Sequence, residues 1–293
     1  MTIAKRGIRL SLIDQQILTG ERALFKSKDL TITNSVFTDG ESPLKESSNI
    51  ILEHSIFKWK YPLWYCNHVT LTNSTLLEMA RSGIWYTHHI SISDSVIEAP
   101  KSFRRASHIR LTNVDLSNAQ ETLWQCKDIY LNHVTARGDY FGMNSENIFI
   151  DDFTLVGNYA FDGAKNVELR NARLISKDAF WNCENVTVYD SVIIGEYLGW
   201  NSRHIKFVNC RIESNQGMCY MDQLTIENGT IINTDLAFEY SAIQVEATTE
   251  LLSVKNPLAG SIKAKNIREL ILDDPEIIAD STQYELTDRV KAT

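Results

Sequence analysis

The sequence predicts an all-β chain wound as a parallel β-solenoid of about 13 turns of about 19 residues each. Two observations carry this. An apolar–any–apolar–any–Asn/Asp/His phrase recurs from Leu30-Thr31-Ile32-Thr33-Asn34 to Ile262. Its first apolar residue falls at Leu30, Ile50, Val69, Ile90, Ile109, Ile129, Ile148, Val167, Val186, Ile205, Leu224, Ile243 and Ile262, so the spacing is 19 to 21 residues early on and 19 from Ile129 onward. Between anchors the sequence offers no helical period, and alternation with β-branched residues is a strand signal.

Residues 1–22 precede the register and read as an N-terminal cover. Residues 23–264 read as the coil and 265–293 as a C-terminal cap, all in one domain (1–293), because a second core would interrupt the register. Taking the first apolar residue as position 0, the strand continues to an apolar residue at +2 (Ile32, Leu52, Leu71, Ile92). A second apolar column lies at +7 (Phe37, Phe57, Leu76, Ile97) and a third at −6 (Leu44, Leu63, Ile84, Phe103). Three apolar patches per turn suit a coil with three strand-like sides. The +4 column is Asn, Asp or His except at Ala247, and these residue types tolerate the left-handed backbone of a corner. Stacked one per turn, their side chains are also able to pair along the ladder. The −10 column is small or turn-prone (Gly40, Ala80, Gly138, Gly157), as a bend without room requires. A leucine-rich repeat would place Asn three residues after a Leu and add a helical segment, and neither is present.

The chain has 293 residues, is 43% apolar and carries a net charge of −8. Without clustered Lys and Arg, neither nucleic acid nor an anionic membrane surface is an expected partner. The first ten residues contain no apolar stretch of signal-peptide length, and no segment approaches membrane-spanning length. Cys66, Cys126 and Cys183 share one column three turns apart, about 14 Å at a ~4.8 Å rise, too far for a disulfide. Buried free thiols in the cytoplasm are the expectation.

The blocks Gly20-Glu21-Arg22-Ala23-Leu24-Phe25, Leu63-Trp64-Tyr65-Cys66, Leu123-Trp124-Gln125-Cys126 and Phe180-Trp181-Asn182-Cys183 resemble an uncharacterised bacterial family, a domain of unknown function. That family belongs to the pectin-lyase-like, right-handed single-stranded β-helix superfamily. The resemblance covers nearly the whole chain and implies a right-handed coil. The wider superfamily includes polysaccharide lyases and glycoside hydrolases, which raises a carbohydrate role without fixing one.

Position −5 holds five of the six tryptophans, Trp64, Trp85, Trp124, Trp181 and Trp200, with Phe25 and Phe238. Rings facing outward along a rod would bind a saccharide. The alternative is a non-enzymatic scaffold whose column is core filling or the centre of a subunit interface, with the chain then a homo-oligomer. The column is interrupted at Arg104, Met143 and Asp162. Arg104 is able to steady an anionic intermediate, and Asp162 and Asp178 to serve as acid or base, so these three are the catalytic candidates; whether the chain is an enzyme is left open. A surface role for each acid is the simpler reading. His68, His89 and His108 fall in one column on successive turns, but six of the seven histidines lie in turn columns, so corner residues rather than metal ligands are expected. No cofactor is expected.

Overall fold

The computed structural model describes residues 11–288. Every strand pair in it is parallel, and 21 strands join into one continuous sheet. The register is the one expected: Leu30 pairs with Ile50, Ile50 with Val69, Ile90 with Ile109, and Ile148 with Val167. Parallel strands each one turn apart are what a β-solenoid requires, because no hairpin is able to join them. The longest strands, such as His88–Ile97, Lys127–Arg137 and Glu146–Val156, run from −2 past the +4 corner to the +7 column. The −6 column pairs as a strand only at Ile84–Trp85 with Phe103–Arg104, extended by a bridge from Arg104 to Trp124. The third side is therefore mostly a bent segment rather than a strand.

The coil extends beyond both expected boundaries. Ser11–Asp14 pairs with Leu30–Thr33, and Ile17–Leu18 with Val36–Phe37, so the described part of the expected N-terminal cover is itself a turn; residues 1–10 lie outside the described residues. Ile267–Ile271 and Thr282–Leu286, within the expected cap, pair with Leu251–Lys255 and Ala259–Ala264. The register also slips near the end. Ile262 pairs with Val245, not with Ile243, whose partner is Gly260. The slip begins at a bulge where Ile226 pairs with Val245 but Gly229 pairs with Ala247. That bulge explains why Ala247 breaks the Asn column. Gly260 makes the shortened turn possible: it sits at φ +122°, and a side chain there would meet the carbonyl oxygen of Ile243.

The core is one uninterrupted column. Ile32, Leu52, Leu71, Ile92 and Leu111 are fully buried at +2, and Phe37 stacks on Phe57 at 4.4 Å. Four columns take left-handed backbone in the regular turns, and a fifth, at −6, joins them from Leu123 to Met218. Besides the expected +4 column (Asn34 φ 50°, Asn113 φ 54°), positive φ recurs at −1 (His68, Asn147), −4 (Tyr65, Gln125) and −8 (Tyr140, Asp178, Tyr197). Left-handed backbone costs a non-glycine residue roughly 1–2 kcal/mol. The ladder offsets it: the corner amides of Tyr140 and Asp178 donate to the next turn's Asn158 and Glu196 carbonyls at 2.8 Å each. Asparagine ladders add to this outside, as in Asn166 to Asn147 (3.1 Å), Asn185 to Asn166 (3.1 Å) and Asn228 to Asn209 (2.9 Å).

Inside the bend at −3, a buried hydroxyl or thiol bridges two turns. Ser145 Oγ accepts from the Cys126 amide (2.8 Å) and donates to the Leu123 carbonyl (2.6 Å), and Ser202 does the same for Cys183 and Phe180. Cys66 and Cys183 fill this position with sulfur, donating to the Leu44 and Phe161 carbonyls at 3.0 Å. All five cysteines are free and buried.

Candidate functional site

Rings dominate one long side of the coil. All five column tryptophans are half-buried, which removes the reading in which the column fills the core. The reason is the bend. Left-handed residues at −8 and −4 turn the chain around position −5, joined by one at −6 before Trp124, Trp181 and Trp200, so Leu63 and Cys66 point inward while Trp64 lies outside them. Each indole is fixed in the same way. Its Nε1 donates to the −8 carbonyl of the next turn: Trp85 to Lys101 (2.8 Å), Trp124 to Tyr140 (2.7 Å), Trp181 to Tyr197 (2.7 Å) and Trp200 to Gln216 (2.6 Å), with Trp64 to Ser82 alike. An indole held so offers its π and apolar surface outward, not its N–H. The column ends earlier than expected, because Cys219 and Phe238 are buried.

Tyrosines flank the tryptophans on the −8 and −4 corners. Tyr65 stacks on Tyr86 and Tyr140 on Tyr159, both at 4.7 Å, while Trp64 stacks on Trp85 at 5.3 Å and Trp181 on Trp200 at 5.9 Å. The strip divides into two halves. In the N-terminal half Arg104 lies between Trp85 and Trp124, its guanidinium carbon 4.6 Å from each ring centre. It is also paired with Glu121 at 3.3 Å, and Lys101 approaches the same carboxylate at 3.1 Å. Arg104 is thus a cationic spacer within the ring stack, its face contacts already made.

The C-terminal half is open. A groove of about 330 Å³ is lined by Tyr159, Lys177, Asp178, Trp181, Tyr197, Trp200 and Gln216. Tyr159 meets Trp181 at 88° and Tyr197 meets Trp200 at 77°, so the two ring columns form corners, one presenting a face where the other presents an edge. Asp178 lies at the base, 2% exposed. Burial raises its carboxyl above the ordinary range, against the lowering effect of the Lys177 charge and the Tyr159 phenol. Asp162 is in electrostatic reach of Asp178 and accepts a hydrogen bond from Asn182 at 2.9 Å, the first rung of an amide ladder continued by Asn201. Around the coil from Trp200, a polar groove of about 460 Å³ is lined by Lys165, Asn182, Glu184, Asn201, Arg203, Tyr220 and Asp222.

The sequence candidates therefore part company. Asp178, Trp181 and Trp200 meet in one groove, with Asp162 beside it, whereas Trp64, Trp85, Arg104 and Trp124 form a closed stack several turns away. Lys177, Gln216 and the wall tyrosines Tyr159 and Tyr197 complete the groove. Tyr159, Asp178, Tyr197 and Gln216 all occupy the −8 position of successive turns, a repetition visible in the sequence, whereas Lys177 lies outside that column.

The histidines are corner residues: His68, His89 and His108 take φ of 57°, 57° and 55° and stack at 4.6 and 4.2 Å. His89 is held below the ordinary imidazole range, by desolvation first and then by His108, His68 and His88. Among the described residues no group of three or more His, Cys, Asp or Glu is arranged to hold a metal ion. No helix of the described residues is long and apolar enough to cross a membrane.

No curated protein matches the chain. Among solved structures, the fold is similar to that of the periplasmic alginate epimerase AlgG in a double-mutant form (9% identity, 94% of this chain and 74% of that one, TM-score 0.30). It is similar also to the A-module of the Azotobacter vinelandii mannuronan C-5 epimerase AlgE4 (9% identity, 94% and 89%, TM-score 0.34). A third is HetL, a pentapeptide repeat protein involved in heterocyst differentiation regulation from the cyanobacterium Nostoc (13% identity, 76% and 92%, TM-score 0.23). The family model for a protein of unknown function, DUF3737, matches residues 11–285, and the chain belongs to that family.

Proposed function

We propose that the protein binds an extended saccharide along the C-terminal half of the aromatic strip, with the groove over Asp178 as its central subsite. The observation that supports this is the groove itself: four aromatic rings, with Asp178, Lys177 and Gln216 among them, in one concavity. A pyranose has apolar C–H faces and a rim of hydroxyls. Aromatic walls suit the first, and a few fixed polar groups suit the second. The Asn182 and Asn201 amides and Tyr220 continue the polar lining beside the groove, so a ligand longer than one sugar would find further contacts. The reading is one of binding: Asp178 is buried and its neighbour Asp162 is held by the Asn182 amide, which is not the facing pair with a free acid and base that glycoside hydrolysis uses.

The test is a glycan array followed by calorimetry on the best binder. Trp181→Ala with Trp200→Ala should weaken binding at least about tenfold, or 1.4 kcal/mol. Trp64→Ala, remote from the groove, should stay within about twofold of the parent, under 0.5 kcal/mol. Unchanged affinity in the double variant, or no saccharide bound at all, removes the reading.

A further inference from the structure

The repeat allows one part of the strip to be compared with another in the same register. In the N-terminal half the relevant trio is the −5 residue of one turn with the −8 and −5 residues of the next: Arg104, Glu121 and Trp124. The arginine lies on the Trp124 face and pairs with Glu121. Three turns on, the same three positions are Asp162, Asp178 and Trp181. The acid and the ring are kept, but the cation is replaced by a second acid.

The nearby cations do not fill its place. Lys165 and Arg203 pair with Glu184 at 3.3 and 2.8 Å. Lys177, whose charge also reaches Asp178, is paired with Glu196 at 3.4 Å and lies over the Tyr197 ring at 5.1 Å rather than on the Trp181 face. Elsewhere the strip takes up cations on its rings wherever the chain supplies them, as with Lys45 over Tyr65 and Arg105 over Tyr86. A ring corner backed by a carboxylate is the arrangement that attracts an ammonium group, through the ring quadrupole and the charge together.

We infer that the groove over Asp178 recognises an ammonium group, and that the saccharide it takes is one carrying free amines. The second half of this statement rests on the saccharide reading above; the first half does not. The amine would sit against Asp178 and the Trp181 ring, in the role that Arg104 plays toward Glu121 and Trp124.

Calorimetry on the full chain at mildly acidic pH tests this with four probes: a β-1,4-linked glucosamine tetramer, its N-acetylated counterpart, a β-1,4-linked glucose tetramer and tetramethylammonium chloride. The glucosamine tetramer should bind at least about tenfold more tightly than the other two sugars. Asp178→Asn should erase that preference. Asp162→Arg, which rebuilds the Arg104 arrangement and supplies an internal cation, should block the amine as well. The second substitution is at a half-buried position and keeps the test open if Asp178→Asn fails to fold. Equal affinity for the three tetramers, or a preference that survives both substitutions, overturns the inference while leaving saccharide binding intact. Tetramethylammonium bound in an Asp178-dependent way with no sugar bound would uphold the ammonium site and remove the saccharide reading. Binding of none of the four overturns both.

Discussion

Replacing Arg104 should destabilise the coil far more than an exposed-face arginine normally would. Its guanidinium contacts two indole faces at 4.6 Å each, and its side chain is 23% exposed. A partly desolvated cation–π contact is worth about 1–1.5 kcal/mol, so two faces give about 2–3 kcal/mol. The ion pair adds little, about 0.5 kcal/mol, because Glu121 keeps Lys101 as a partner when Arg104 is gone. Arg104→Ala is therefore expected to cost about 3 kcal/mol, against less than about 0.5 kcal/mol for an ordinary surface change. Arg104→Lys should recover only part of it, since an ammonium cannot lie flat between two rings. Urea unfolding followed by circular dichroism gives the global value. Solenoids open locally, so exchange of the Arg105 amide, bonded to the Trp124 carbonyl at 2.9 Å, gives the local one. A double-mutant cycle with Trp124→Ala should show coupling of about 1 kcal/mol. A loss under about 0.5 kcal/mol for Arg104→Ala, or no coupling to Trp124, would refute the reasoning.

Three further outcomes are expected. Ser145→Ala orphans a buried amide and a buried carbonyl at once and should cost about 2–3 kcal/mol, while Ser145→Cys, using the residue the chain itself places at 66 and 183, should recover part of it; equal losses in urea would contradict this. Burial pushes the Cys66, Cys126 and Cys219 thiols up to about 12 and Cys210 up to about 11, so the native protein should resist thiol reagents. The unfolded chain loses those protons first, near about pH 8.5, so this contribution is complete below that pH and declines as pH rises above it; a urea midpoint that does not fall between about pH 8 and about pH 10.5 counts against it. The imidazole of His89 is held down in the fold, so its contribution is complete above about pH 6.5 and declines as pH falls below that value. His89→Asn, which suits the left-handed corner, should flatten the acid limb of a melting-temperature profile, and an unchanged slope would argue against it.

The sequence made the register visible because inward positions are apolar for a reason that repeats every turn. It made the +4 corners visible because Asn, Asp and His mark themselves there. The −8 and −4 corners were harder to see, since Asp178, Asn144, Asn182 and Asn201 mark only some of them, and the Tyr, Gln and Lys of the others carry no corner signature and are held left-handed by the ladder of amides. That is also why the side on which Trp64 or Trp181 lies could not be read: alternation fails across the left-handed residues on either side of each, Tyr61 and Tyr65 for the first, Asp178, Phe180 and Asn182 for the second. The late slip was marked only by Ala247 and Gly260, and a regular spacing from Ile243 to Ile262 concealed it, because two equally apolar residues, Ile243 and Val245, could each have been the partner. Asp162 stood out as an interruption and Asp178 as an acid near it, but the tyrosine walls that give Asp178 its setting come from neighbouring turns.

The ladder that holds the five column indoles to the turn above also makes the strip a ruler. Trp124, on the closed stack, and Trp181, on the open groove, are separated by three turns, about 14 Å at a ~4.8 Å rise. Nothing but the number of intervening turns sets that interval. Excising or duplicating one 19-residue unit between them would move the two landmarks by one step while leaving each landmark's own neighbours in place, so the span of the strip is a quantity the gene can edit in whole numbers.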